Sequence, residues 1–253
     1  MSKARTALAV AAMVLWVGAA QAADCRGETF DGEGYTVCEV DLTQDTVRLF
    51  LQHPQTGTPL GSFAAIEQLL RPEGKALAFA MNAGMYHADR RPVGLYVENG
   101  RELAPLVTRE GPGNFGLLPN GVFCLRDGRA DVIEARRFSE QRPACRDASQ
   151  SGPMLVIEGA LHPRFIENSD SRYIRNGVGT SPDGRRAWFV ISDRAVNFHT
   201  FGRVFRDHLG AWQALYFDGK ISKLYAPRLG RSDIGFAMGP MVGAVIDATA
   251  AVD

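Results

Sequence analysis

Apolar residues recur along this chain in short runs separated by glycine, proline, asparagine and aspartate. Alternation is clearest over 46–51, where Val47, Leu49 and Leu51 interleave with Arg48 and Phe50, so one face of a strand is apolar. A second strand over 35–40 precedes it across the turn chemistry of 41–45. Continuous apolar runs at 76–81, 154–157 and 214–217 predict buried strands. Asn99-Gly100, Asn120-Gly121 and Asp127-Gly128 mark tight turns, the last between strands over 122–126 and 130–133. The stretches 174–180 and 187–192 predict a hairpin over Pro182-Asp183-Gly184, and 234–238 and 241–246 predict two final strands. Helical spacing is scarcer. Ser62 caps a short helix whose Phe63, Ile66, Leu69 and Leu70 share a face before Arg71-Pro72 ends it. Phe201, Val204, Phe205 and Leu209 predict a longer helix starting at Thr200, with Gly210 at its C-terminal end. The start of the mature chain, 24–33, is polar and glycine-bearing, and the polar, arginine-rich 134–148 reads as a loop held by Cys145. The pattern as a whole predicts an α+β fold with mostly antiparallel or mixed sheet and a few short helices.

Composition agrees, since 27 glycines and 13 prolines in 253 residues demand many turns. No linker or repeat divides the chain, so one domain is expected over 23–253. Residues 1–22 read as a cleaved signal peptide: Lys3 and Arg5, a charge-free apolar run over 7–20, then the small-x-small site Ala20-Gln21-Ala22. That run is too short for a membrane span, and no later stretch would provide a stable span after cleavage. The protein is therefore expected in the periplasm or secreted. Lys and Arg total 28 against 28 Asp and Glu, and losing Lys3 and Arg5 leaves the mature chain slightly acidic. This balance argues against a nucleic-acid partner. Cys25, Cys38, Cys124 and Cys145 form an even set in an exported chain, which suggests disulfides. Three pairings exist, and the local ones, Cys25–Cys38 and Cys124–Cys145, are favoured. Zinc is disfavoured because no CxxC or histidine cluster accompanies them.

The chemistry concentrates late in the chain. The run 214–217 stops at Asp218-Gly219 with no polar transition. A carboxylate ending a buried strand is costly unless it is paired, ligated or used. A plain Asp-Gly turn is the simpler explanation of the same dipeptide. Gln150-Ser151-Gly152-Pro153 sets an amide and a hydroxyl before a buried strand, as a polyhydroxylated ligand needs, or merely caps a turn. Arg172 and Arg175 flank the glycine-bearing segment Asn176-Gly177-Val178-Gly179 and could fork a phosphate or carboxylate, or lie solvated on a surface strand. Common hydrolase templates such as GxSxG and HExxH are absent. The five histidines show no ligand spacing, and only His87 neighbours a candidate segment.

In order and type, a set of segments here resembles the phosphodiester glycosidase family. They are Met81-Asn82-Ala83-Gly84-Met85-Tyr86, Pro92-Val93-Gly94-Leu95, Gly113-Asn114-Phe115, Pro119-Asn120-Gly121-Val122-Phe123, Gln150-Ser151-Gly152-Pro153, Arg175-Asn176-Gly177-Val178-Gly179 and Ala214-Leu215-Tyr216-Phe217-Asp218-Gly219. The resemblance runs over about 76–222, and its specificity lies in ordered co-occurrence, not in any one motif. Where the family often has a second glycine after its Asp-Gly, this chain has Lys220, while the following Ser222 is kept.

The resemblance implies hydrolysis of a sugar 1-phosphodiester at its glycosidic bond, with a carbohydrate phosphodiester as substrate. Asp218, Asn82 and Arg175 are then the candidate catalytic residues. Asp218 would stabilise oxocarbenium character at the anomeric carbon, serve as base for water or ligate a metal. Arg175, with Arg172 or Lys220, would hold phosphate oxygens. Gln150, Ser151 and Asn176 would orient hydroxyls or water, and Gly219 and Ser222 complete the binding segment. No cofactor is required, although Asp218 with backbone oxygens could hold calcium or magnesium. Two other readings use the same groove: a non-catalytic envelope glycan-binding protein, and a phosphodiesterase that breaks P–O.

Overall fold

The computed structural model describes residues 23–251, so the expected signal peptide lies outside the described residues. The chain opens with β1 (Asp24–Phe30), β2 (Glu33–Asp41) and β3 (Thr46–Phe50), then helix α1 (Phe63–Leu70) and β4 (Lys75–Asn82). The middle holds β5 (Tyr96–Glu98), β6 (Arg101–Ala104), β7 (Gly121–Arg126), β8 (Arg129–Glu134), helix α2 (Ala135–Gln141), β9 (Asp147–Ser151), β10 (Met154–Ile157) and β11 (Ala160–Leu161). The last part adds β12 (Asn176–Thr180), β13 (Arg186–Ser192), helix α3 (Phe198–Arg203), β14 (Gln213–Asp218), β15 (Leu224–Ala226), β16 (Arg231–Ser232) and β17 (Met241–Asp247).

These strands form three sheets, ordered β1-β2-β13-β12-β14-β10-β11, β16-β15-β4-β17-β3 and β6-β5-β9-β7-β8. Every pairing between the named strands is antiparallel. The α+β expectation with antiparallel sheet is met. One face of each sheet turns to a shared core, where Phe79, Phe123, Phe189 and Phe217 meet with ring centroids 5.1 to 6.1 Å apart. The opposite faces are covered separately. Phe201, Val204 and Phe205 cover the first sheet, and Phe63, Ile66 and Leu70 of α1 cover the second. Phe138 of α2 packs on Val122 and Cys124 outside the third. Burial on both faces explains why the strands read as unbroken apolar runs.

Both local disulfides are present, Cys25–Cys38 directly across β1 and β2 and Cys124–Cys145 tying β7 to the segment before β9. Three local expectations need correction, and one stretch left without an assignment proves to hold a strand. The polar 24–33 contains β1, an edge strand whose exposed face needs no apolar residues. The 134–148 stretch contains α2, capped by the Glu134 side chain accepting from Arg137 N at 2.8 Å, and only Ala135 and Phe138 are buried on it. Two buried positions are too few to show a helical period. The long helix starts earlier and ends sooner. Asn197 Oδ1 accepts from Thr200 N at 2.8 Å, α3 stops at Arg203, and a π turn over Val204–His208 carries the chain to Gly210 at φ 66°. Finally, 234–238 is a loop and not a strand, because Ile234 and Phe236 both stand in solvent.

Candidate active site

Antiparallel register brings four strand ends together. Asn176, first in β12, lies opposite Asp218, last in β14. Asn82 ends β4 and Ser151 ends β9. The side chains at these ends clasp one another. Asn82 and Asn176 are wholly buried and pair head to tail, each Nδ2 donating to the other's Oδ1 at 3.1 Å. Asn176 Nδ2 also donates to Asn82 O at 2.8 Å, and Lys223 N donates to Asn82 Oδ1 at 3.0 Å. Ser151 Oγ donates to Phe217 O at 2.8 Å. Gln150 Oε1 accepts from Leu95 N and Val107 N, each at 3.0 Å. Ser222 Oγ donates to Asp218 O at 2.7 Å. Polar groups buried this deeply must find partners, and these have found them within the protein.

Beside this clasp opens a cavity of about 760 Å³, within the range of small-molecule sites. Met85, Tyr86, His87, Arg90 and Val93 form one wall. Pro112 to Phe115 form another, and Ser171, Tyr173 and Phe236 close the rim. Tyr216, Asp218, Gly219, Lys220 and Ile221 complete it. Of the candidate residues, Asp218, Gly219 and Lys220 line this cavity. Asn82, Gln150, Ser151, Asn176, Arg172, Arg175 and Ser222 do not.

The two arginines part company. Arg172 is exposed and pairs with Glu33 at 3.1 Å. Arg175 is fully buried. Its Nε donates to Val196 O and its Nη2 to Ser171 O, both at 2.8 Å, and its guanidinium lies 3.6 Å from the Phe198 ring centroid. Tyr216 lines the cavity and touches Arg175, with the guanidinium 5.3 Å from its ring centroid. Burial raises the Tyr216 hydroxyl well above its ordinary range, and the neighbouring Arg175 opposes that shift.

Asp218 is the sole carboxylate among the described residues lining the cavity. Its Oδ1 accepts from Gly219 N at 2.6 Å and Lys220 N at 2.9 Å, so the Asp-Gly turn is real and fixes the carboxylate's direction. Burial raises its pKa, and the backbone donors of Lys220 and Gly219 pull against that rise. Arg90 and Lys220 give the same cavity its cationic groups, and His87 adds an imidazole. Among the described residues no three His, Cys, Asp or Glu side chains cluster as a metal cage. Asp218 is the one carboxylate this lining offers a cation, and its Oδ1 already accepts from two backbone amides.

Tyr216 and Asn114 escaped sequence reasoning as site residues, because a tyrosine inside an apolar run reads as core. The period of two along a strand was the available signal, since it puts Tyr216 on the face of Asp218.

A family model described as phosphodiester glycosidase matches residues 75–233. The uncharacterised protein YigE of Escherichia coli (strain K12) is 33% identical over 221 residues, covering 87% of this chain and 84% of YigE. A hypothetical protein from Synechocystis superposes with a TM-score of 0.58 at 12% identity, covering 88% of this chain and 61% of that one. The zebrafish N-acetylglucosamine-1-phosphodiester alpha-N-acetylglucosaminidase catalytic domain, auto-inhibited by its pro-peptide, gives 0.57 at 13%, covering 87% and 81%. A putative exported protein from Burkholderia pseudomallei K96243 gives 0.56 at 12%, covering 84% and 74%. At these identities the solved structures speak to the fold alone.

Proposed function

This chain belongs to the phosphodiester glycosidase family, and from that premise we propose that it hydrolyses the sugar–oxygen bond of a sugar 1-phosphodiester in the cavity beside Asp218. The observation that carries the reading is the charge layout, one carboxylate sharing a ligand-sized space with two cationic side chains, Arg90 and Lys220, and with the His87 imidazole. Water adds to the anomeric carbon, the C1–O bond breaks, and its electron pair leaves on the phosphate monoester. Phosphate is a good leaving group, so strong acid assistance is unnecessary. The developing positive charge at C1 is what needs help, and a carboxylate of fixed direction in a partly desolvated site supplies it. Asp218 takes that role, or accepts the proton of the attacking water. Lys220, Arg90 and His87 hold the phosphate oxygens. The Tyr216 hydroxyl, backed by Arg175, donates into the cavity. Asn82, Gln150, Ser151 and Asn176 act as positioning residues that hold the strand ends. Two disulfides suit an oxidising compartment, and a structural relative is named as a putative exported protein. We accordingly place this protein outside the cytoplasm, in the periplasm or secreted.

Asp218→Asn tests the reading. Release of phosphate monoester from a sugar 1-phosphodiester falls by about a hundredfold or more, as for loss of a group that stabilises transition-state charge, while the circular dichroism spectrum is retained. Full activity in the folded variant removes Asp218 from the chemistry. Because its pKa is raised, wild-type kcat/KM declines with acidification at a pH above the ordinary aspartate range, as the working carboxylate is protonated. Oxygen-18 water labels the sugar under this mechanism, whereas label in the phosphate would show P–O cleavage instead.

A further inference from the structure

Four large apolar side chains stand open to solvent on two segments that each contribute one residue to the cavity lining. Ile234 is 92% exposed, Phe236 77%, Tyr173 49% and Ile174 44%. Phe236 and Tyr173 line the cavity, and the two isoleucines are their near neighbours in the chain. Grouped exposed apolar side chains mark a binding surface more often than isolated ones do. Nor is the exposure slack in a loose loop. Leu224 N donates to Asp233 Oδ2 at 2.9 Å, and Asp233 N donates to Leu224 O at 3.0 Å. The Lys223 ammonium donates to Phe236 O, Tyr86 Oη donates to Ala237 O at 3.2 Å, and Met238 N donates to Gly61 O at 2.9 Å. Gly235 takes φ 131° between the two apolar residues. The loop is tied down on both sides and still holds Ile234 and Phe236 outward.

Arg90 and Lys220 line the same cavity as Tyr173 and Phe236. An apolar lip on a cavity with cationic groups matches an anionic group joined to a hydrocarbon. Sugars stack on flat aromatic faces, whereas a branched isoleucine offers no flat face and suits alkyl contact. We propose, building on the glycosidase reading above, that the substrate's aglycone is a hydrocarbon chain borne in a lipid layer. The lip enters the apolar layer, the cations meet the phosphate, and the sugar reaches Asp218. The occupant of the exposed patch is thus the bilayer that carries the substrate.

The test compares methyl and hexadecyl diesters of N-acetylglucosamine 1-phosphate, the first in solution and the second in phosphatidylcholine vesicles. The variant is Ile174→Ser/Ile234→Ser, which leaves the cavity lining intact. Wild type should prefer the vesicle substrate, and the variant should lose about tenfold or more on it, the scale set by two partly buried side chains. Methyl diester turnover should stay within about twofold. Equal turnover of both substrates by wild type, or an unchanged variant, overturns the lipid proposal while leaving the glycosidase reading standing. Co-sedimentation of Asp218→Asn protein with the diester vesicles gives a readout independent of turnover. If neither diester is cleaved, the catalytic reading fails. Vesicle retention that depends on the two isoleucines then still upholds the lip, and no retention ends it.

Discussion

A β-carbon on Gly219 would stand 2.0 Å from the Tyr216 hydroxyl oxygen, closer than any real contact. The glycine of the Asp-Gly turn is therefore required by its neighbour's phenol and not by an unusual backbone angle. Gly219→Ala must push the turn off Tyr216, and overpacking of this kind costs about 1–3 kcal/mol. It also displaces Asp218, whose carboxylate accepts from the Gly219 and Lys220 amides. Tyr216→Phe removes the offending oxygen, so the two substitutions should be non-additive. Denaturant unfolding of both single variants and the double variant would give a coupling of about 0.5–3 kcal/mol, with the double variant less destabilised than the sum. Strict additivity would show that the turn relaxes without meeting the tyrosine. The sequence announced Asp218 through an abrupt change of polarity. It was silent about Tyr216, whose hydroxyl matters only because the fold sets it against Arg175 and on the cavity lining.

At the level of elements, the amide clasp between β4 and β12 joins the second sheet to the first. Asn82→Ala removes the reciprocal amide bonds to Asn176, whose Nδ2 keeps Asn82 O, and leaves the buried Lys223 N without its acceptor, at about 1–3 kcal/mol for that unsatisfied group. The melting temperature should drop by several degrees, at about 2–4 °C per kcal/mol for a chain of this size. Thermal denaturation followed by circular dichroism checks this, and an unchanged midpoint would mean that the clasp holds nothing. A loss of activity in this variant should track lost stability, unlike that of Asp218→Asn. Most strands were legible in the sequence, because burial on both faces writes them as apolar runs bounded by turn residues. Asn99-Gly100 and Asp127-Gly128 marked the turns of the β5–β6 and β7–β8 hairpins. What failed were elements carrying too little burial to leave a period, such as β1 and α2, and a helix end decided by the Asn197 side chain. The asparagines and Gln150 looked like ligand-binding groups because a sequence cannot show that two amides 94 residues apart satisfy each other.

The whole molecule depends on how its three sheets meet. Glu98 of β5 sits at the seam with the second sheet, near Arg48 of β3 and the Leu51 amide, with the Tyr96 hydroxyl donating to it at 3.1 Å. Burial pushes its carboxyl up to about 7, helped by Asp147 and opposed by Tyr96, Arg48 and Leu51. A folded-state pKa above the unfolded one means stability that is fully present below about 4.5 and lost as pH rises through about 7. Glu98→Gln keeps the shape without the charge. Its melting temperature should therefore match wild type near pH 5 and exceed it near pH 8, and parallel curves would exclude titration of Glu98 at the seam. The sheet-on-sheet arrangement was not legible, since residues that meet in the shared core come from β4, β7, β13 and β14 and carry no local sign of it. Convergence of the strand ends was foreseen only as far as the order of segments implied a common site. The division of labour at those ends has a practical consequence. Walls made of short connecting segments can be rewritten while the clasped strand tips beneath them stay unaltered. A designer seeking a different leaving group should vary Arg90, Asn114, Lys220 and Phe236, and leave both asparagines alone.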